Sequence, residues 1–194
     1  QRFVNPDNSV ENIADEKIRS SFLKVLHHYT SLHGYKIILR QKAIKSSTMQ
    51  AQPVLNWLSF FGRISKYQIK LAIFVRDSQE IKVSELPKDV LTGWFAHELG
   101  HVVDYTPYSP LQMIGYGIKY LYSSRFKKEA EHEADRIAIR NGFKSEILQT
   151  KRFILENDFL TDSYKARINK YYMPIEEVEA WQHPEVPGTP KIDL

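Results

Sequence analysis

Trp94-Phe95-Ala96-His97-Glu98-Leu99-Gly100-His101-Val102-Val103-Asp104-Tyr105 decides how the rest of the chain is read. Residues four apart on a helix lie on one face, one turn above the other. His97 and His101 therefore point the same way, with imidazoles close enough to share one metal ion. Glu98 stands about 100° round the helix from His97, poorly placed as a third ligand from that turn but able to reach a water held beside the metal. Trp94, Phe95, Ala96, Leu99, Val102 and Val103 make the segment apolar nearly all round, as in a buried helix. Two imidazoles and a carboxylate buried without partners would be costly, and a bound cation would supply the partner.

Working outward, Pro87 suits the first turn of this helix, where its missing N–H costs nothing. Pro107 and Pro110 end it near Tyr105. Gly93 and Gly100 inside it each sacrifice about 1 kcal/mol of helix propensity, and Gly100 is expected to let another backbone approach closely. Upstream, the apolar spacing from Val10 to His33 predicts an amphipathic helix that Gly34 ends. His27, His28 and His33 lie in it without a ligand spacing, as surface or core histidines. Tyr35 to Arg40 is strand-like. Met49 to Leu55, carrying Pro53, reads as an edge or irregular strand. Trp57, Phe60 and Phe61 read as core or as a wall of the cleft. Tyr67 to Val75 is the clearest strand. Downstream the pattern gives helices over Leu111–Tyr122, Arg125–Asn141, Ser145–Asn157, Thr161–Tyr172 and Pro174–Gln182, with Asn141-Gly142 stopping the second of these.

The chain has 194 residues, 42% of them hydrophobic and 26% charged. One domain over residues 1–183 with a Pro-rich tail over 184–194 accounts for that length. The net charge of +4 is mild, and no block of five like charges appears, so attraction to nucleic acid or to a membrane surface is not indicated. There is no Cys, which removes disulfides and thiolate ligands and leaves His and carboxylate for any metal site. Apolar runs such as Ile69 to Val75 are far too short to span a membrane. The chain begins at Gln1, and the expectation drawn from this is an exported protein, periplasmic or extracellular, with its signal peptide removed.

H-E-x-x-H is the spacing with which zinc peptidases hold their metal, and such a site takes three protein ligands plus a water. The carboxylates available downstream are Glu129, Glu131, Glu133 and Asp135. Glu131 and Asp135, four apart on one face, repel by a few tenths of a kcal/mol. That repulsion becomes support if Glu131 binds the metal while Asp135 accepts an N–H from a ligating imidazole. Glu133 is a rival ligand, and Asp104, on the His97/His101 face, is a further candidate.

His97-Glu98-x-x-His101 followed by Glu131-x-x-x-Asp135 resembles the gluzincin metallopeptidases, the thermolysin-like branch of the zincins. The Glu131-His132-Glu133-Ala134-Asp135 segment is especially similar to compact bacterial members. The likeness covers roughly residues 89–142. It implies Zn2+ held by His97, His101 and Glu131, with Asp135 orienting a ligand histidine and Glu98 as the general base that activates water. It implies an α+β, zincin-like fold in which a small, mostly antiparallel sheet packs on a helical body around the active-site helix. A strand before that helix would bind a peptide or protein substrate as an added strand, and Tyr67 to Val75 is the candidate. The function implied is zinc-dependent peptide hydrolysis. The alternative is an inactive zincin-like binding or regulatory module. The oxyanion donor is left open among His132, His183, Tyr116, Tyr164, Tyr171 and Tyr172.

Overall fold

The computed structural model describes residues 10–44, 47–56, 62–78 and 80–181. In chain order these form β1 (Val10–Glu11), α1 (Glu16–His28), β2 (Lys36–Gln41), β3 (Met49–Pro53), β4 (Lys66–Leu71), α2 (Lys88–Tyr105), α3 (Pro110–Tyr122), α4 (Ser124–Arg140), α5 (Lys144–Glu156), α6 (Asp162–Tyr171) and α7 (Ile175–Ala180). The fold is α+β and mostly helical, with one four-stranded sheet among the described residues. Trp57, Phe60, Phe61, His183 and the tail over 184–194 lie outside those residues.

From α2 onward each helix falls within a residue or two of the stretch its apolar spacing predicts. The first does not. Val10–Glu11 is a strand, Asn12 turns the chain at φ +59°, and Asp15 starts α1 by accepting a hydrogen bond from the Ile18 N–H at 2.9 Å. Val10 and Ile13 are buried in the same core as α1, so their apolar spacing records burial and not helix.

The sheet order is β1-β2-β4-β3. β1 with β2 and β2 with β4 are parallel, and only β3 with β4 is antiparallel. The expected mostly antiparallel sheet is thus corrected to a mixed one. The reason is in the connections: α1 is a helical crossover that returns the chain parallel to β1, and β2 and β3, though consecutive, are not neighbours, because β4 lies between them. β4 is therefore an inner strand, and it stops at Leu71. The accessible edge facing the helices is β3, where the missing N–H of Pro53 is tolerated.

β3 and helices α1, α4 and α5 all pack on α2. Every residue of α2 from Val90 to Val102 is buried. From α1's end, the Tyr29 hydroxyl donates to the Ala96 carbonyl at 2.6 Å, one residue before His97. Both glycines of α2 are contact points. A Cβ on Gly93 would lie 2.6 Å from the Glu146 carbonyl carbon on α5. One on Gly100 would press into the Ala134 carbonyl oxygen, with Ala134 Cα at 3.0 Å on α4. No described helix is long and apolar enough to cross a membrane.

Gly100→Ala tests this packing. Ala would gain about 1 kcal/mol of helix propensity, but forcing apart two helices in main-chain contact costs roughly 1–3 kcal/mol. Urea denaturation is expected to show a net loss of stability. An unchanged midpoint would count against the close crossing.

Candidate metal centre

His97 and His101 project from one face of α2, their ring centroids 4.7 Å apart and their planes nearly perpendicular. Each ring is backed by a tyrosine: Tyr172 stacks on His97 at 5.1 Å and Tyr105 on His101 at 5.9 Å. Because α4 meets α2 at Gly100 and Ala134, the residues flanking Ala134 on α4 reach the histidines. Glu131 Oε2 lies 3.0 Å from His97 Nε2 and 3.3 Å from His101 Nε2. Asp135 Oδ1 accepts from His97 Nδ1 at 2.9 Å, leaving Nε2 as the ligating atom.

The donor atoms of His97, His101 and Glu131 all lie within 4.8 Å of one another, and all three residues are buried. Two ligands on a tetrahedral ion with bonds of about 2.0–2.1 Å stand roughly 3.3 Å apart. The separations of Glu131 Oε2 from the two imidazole nitrogens, 3.0 and 3.3 Å, are close to that spacing. The group could hold a metal ion, and two imidazoles with one carboxylate form a donor set suited to zinc.

Around these donors the charges are arranged in a chain. Lys151 of α5, itself buried, donates to Asp135 Oδ2 at 2.7 Å, and the Met173 N–H donates to the same oxygen at 3.3 Å. Burial alone would raise the Asp135 pKa, but Lys151 and His97 outweigh it and hold the value down at about 2. Asp135 is therefore an anion and an acceptor. Burial works against charge on His97, yet the hydrogen bonds it donates to Asp135 and Glu131 hold its pKa up at about 10. For Glu131 the imidazoles overcome burial and keep the carboxyl well below its ordinary range. The Tyr120 hydroxyl donates to Glu131 Oε1.

Glu98 leaves α2 on the side of β3. Its Oε2 accepts the Ala51 N–H at 2.8 Å, and burial raises its pKa above the ordinary carboxylate value despite the nearby imidazoles. It lines a cleft of about 760 Å³ together with His101 and Glu131.

The predicted residues thus fall as follows. His97, His101 and Glu131 converge, Asp135 sits on His97, and Glu98 stands beside them at the cleft. Glu133 points elsewhere: with Glu129 it binds Arg136, at 2.9 and 2.8 Å, and it also binds Arg140 at 2.7 Å. Asp104 accepts from the Tyr116 hydroxyl at 2.7 Å and lies outside the donor group. The sequence reading missed Lys151, Tyr120, Tyr105 and the Ala51 N–H. A lysine in an amphipathic helix gives no sign of its burial, and a main-chain donor has no sequence signature. No family model, no curated protein and no solved structure matches this chain.

Two outcomes follow from the charge chain. Metal uptake must displace the proton on His97, so affinity for Zn2+ should rise with pH through the neutral range, by about tenfold per unit where one proton is released. Calorimetry in buffers of different ionisation heat reads that release directly, and uptake without it would contradict the assignment. Lys151→Met strips Asp135 of its counter-ion and should weaken zinc binding about 10–100-fold, the usual scale for loss of a group supporting a ligand. Competition with a chromogenic chelator measures it.

Proposed function

We propose that this protein is a zinc-dependent peptidase with a zincin-like fold of the gluzincin type. The observation that carries the reading is the convergence of His97, His101 and Glu131, with donor atoms within 4.8 Å of one another, next to a buried Glu98 that lines a cleft. Zinc held by those three residues would supply Lewis acidity and make a water nucleophilic near neutral pH.

The chain's own residues do the rest. Glu98 takes the proton from the attacking water and passes it to the leaving amine. Its raised pKa suits the first of these transfers, because a carboxylate whose pKa lies nearer the operating pH is the stronger base toward water. Lys151 fixes Asp135, Asp135 fixes the tautomer and ring plane of His97, and Tyr172 and Tyr105 restrict the two rings. β3 is an edge strand whose Ala51 N–H is taken by Glu98, and its other outward main-chain groups would let a substrate add as a further strand across the mouth of the cleft. The 760 Å³ cleft accommodates side chains on either side of the scissile bond.

The deciding experiment pairs elemental analysis with turnover of a peptide library. The wild-type protein is expected to carry one zinc per chain and to cleave. Glu98→Gln should keep the zinc and lose at least about 10²-fold in kcat. Full activity in that variant, with contaminating protease removed, would refute the role of Glu98. Stoichiometric zinc without any cleavage by the wild type would favour a binding module instead.

A further inference from the structure

Among the described residues, the cleft is lined by three cationic side chains, Arg76, Lys127 and Arg167, and by two carboxylates, Glu98 and Glu131. Both carboxylates are engaged. Glu131 faces the imidazoles and accepts from Tyr120, while Glu98 accepts from the Ala51 N–H. A divalent ion brings two positive charges against those two negative ones, so the excess in the cleft is that of the three cations.

The cations come from three parts of the chain: the turn after β4, α4 and α6. One face of α6 organises them. Tyr164, Arg167 and Tyr171 stand three and four residues apart, which puts them on a single face. The Arg76 guanidinium lies 6.0 Å from the Tyr164 ring centre. Lys127 Nζ lies 4.8 Å from the ring centre of Tyr171 and 5.0 Å from that of Tyr120. Aromatic faces hold a cation in place without cancelling its charge. Arg76 also meets Asp77 at 3.1 Å, a partly exposed neighbour pair of the kind that contributes little. Arg167, between the two tyrosines, meets no carboxylate at ion-pair distance among the described residues.

We propose that this wall selects for a carboxylate: the cleft takes peptides bearing an acidic side chain or a free C-terminus that reaches Arg167, with Arg76 and Lys127 adding to the attraction. The proposal rests on the peptidase reading of the metal site. A cleft lined by one sign of charge concentrates ligands of the other sign, and a guanidinium can grip a carboxylate with two parallel hydrogen bonds. Met113, Ile114 and Leu121 of α3 line the same cleft, so the preferred peptide carries apolar residues near its carboxylate.

Three peptide sets of equal length test this: acidic sequences with an amidated C-terminus, neutral sequences with a free C-terminus, and neutral amidated sequences. Binding is read by fluorescence anisotropy on zinc-loaded Glu98→Gln, and turnover on the zinc-loaded wild type. At least one carboxylate-bearing set should bind about tenfold tighter than the neutral amidated set. That advantage should shrink as salt rises and vanish or invert in Arg167→Glu. Which set wins distinguishes side chain from chain end as the source. Equal binding of all three sets, no binding by any, or a preference untouched by Arg167→Glu would overturn the proposal. If Arg167→Glu fails to fold, judged by circular dichroism and zinc content, Arg167→Gln combined with Lys127→Gln gives the same comparison. A carboxylate preference in binding with no cleavage of any peptide would instead sink the peptidase reading and leave the cleft's selectivity standing.

Discussion

The contact between Gly100 and Ala134 sets the distance on which the rest of the site depends. With no Cβ at position 100, α4 approaches α2 until main chain meets main chain. At that separation a glutamate side chain on α4 is long enough to reach two imidazoles on α2, and an aspartate one turn later reaches the far nitrogen of the first. Gly93 does the same for α5, which delivers Lys151 to the back of Asp135. Glycine's poor helix propensity at both positions is offset by what the close crossings permit.

A buried cluster of this kind is stable only if every charge has a partner. Here the partners alternate from α5 to α2: ammonium of Lys151, carboxylate of Asp135, imidazole of His97, carboxylate of Glu131. Tyr120 satisfies the second oxygen of Glu131, and the Met173 N–H joins Lys151 on Asp135 Oδ2. His101 is the less constrained ring. Its Nδ1 is buried with no hydrogen-bond partner among the described residues, so its one polar contact is the one from Nε2 to Glu131, and the ring stacks on Tyr105. The two histidines therefore differ: His97 is tied to a carboxylate through each nitrogen, and His101 through one nitrogen only.

The helical part of the fold was legible because α2 to α7 carry apolar spacing bounded by prolines, caps and Asn141-Gly142. The sheet was not. Strand propensity says that Lys36–Gln41, Met49–Pro53 and Lys66–Leu71 are extended, but their order depends on where residues 42–48 lead, and that path is a matter of tertiary packing. Val10 and Ile13 misled for a related reason, since a buried strand and its turn can fall in register with a following helix. At the site, spacing paired His97 with His101 and Glu131 with Asp135, while the choice of Glu131 over Glu133 and Asp104 came from the family resemblance. Lys151, Tyr120 and the Ala51 N–H could not, because each acts through a contact made by folding. Asp104 shares a helix face with the histidines, yet the hydroxyl of Tyr116 claims it.

The ligand set draws two members from α2 and one from α4, and the chain between them contains the whole of α3. An ion held there ties together segments far apart in sequence, much as a covalent cross-link would. Coordination free energy is then also folding free energy, because the unfolded chain cannot assemble the three donors. Uptake of an ion by this donor group would therefore be linked to keeping the native shape, and loss of either would weaken the other.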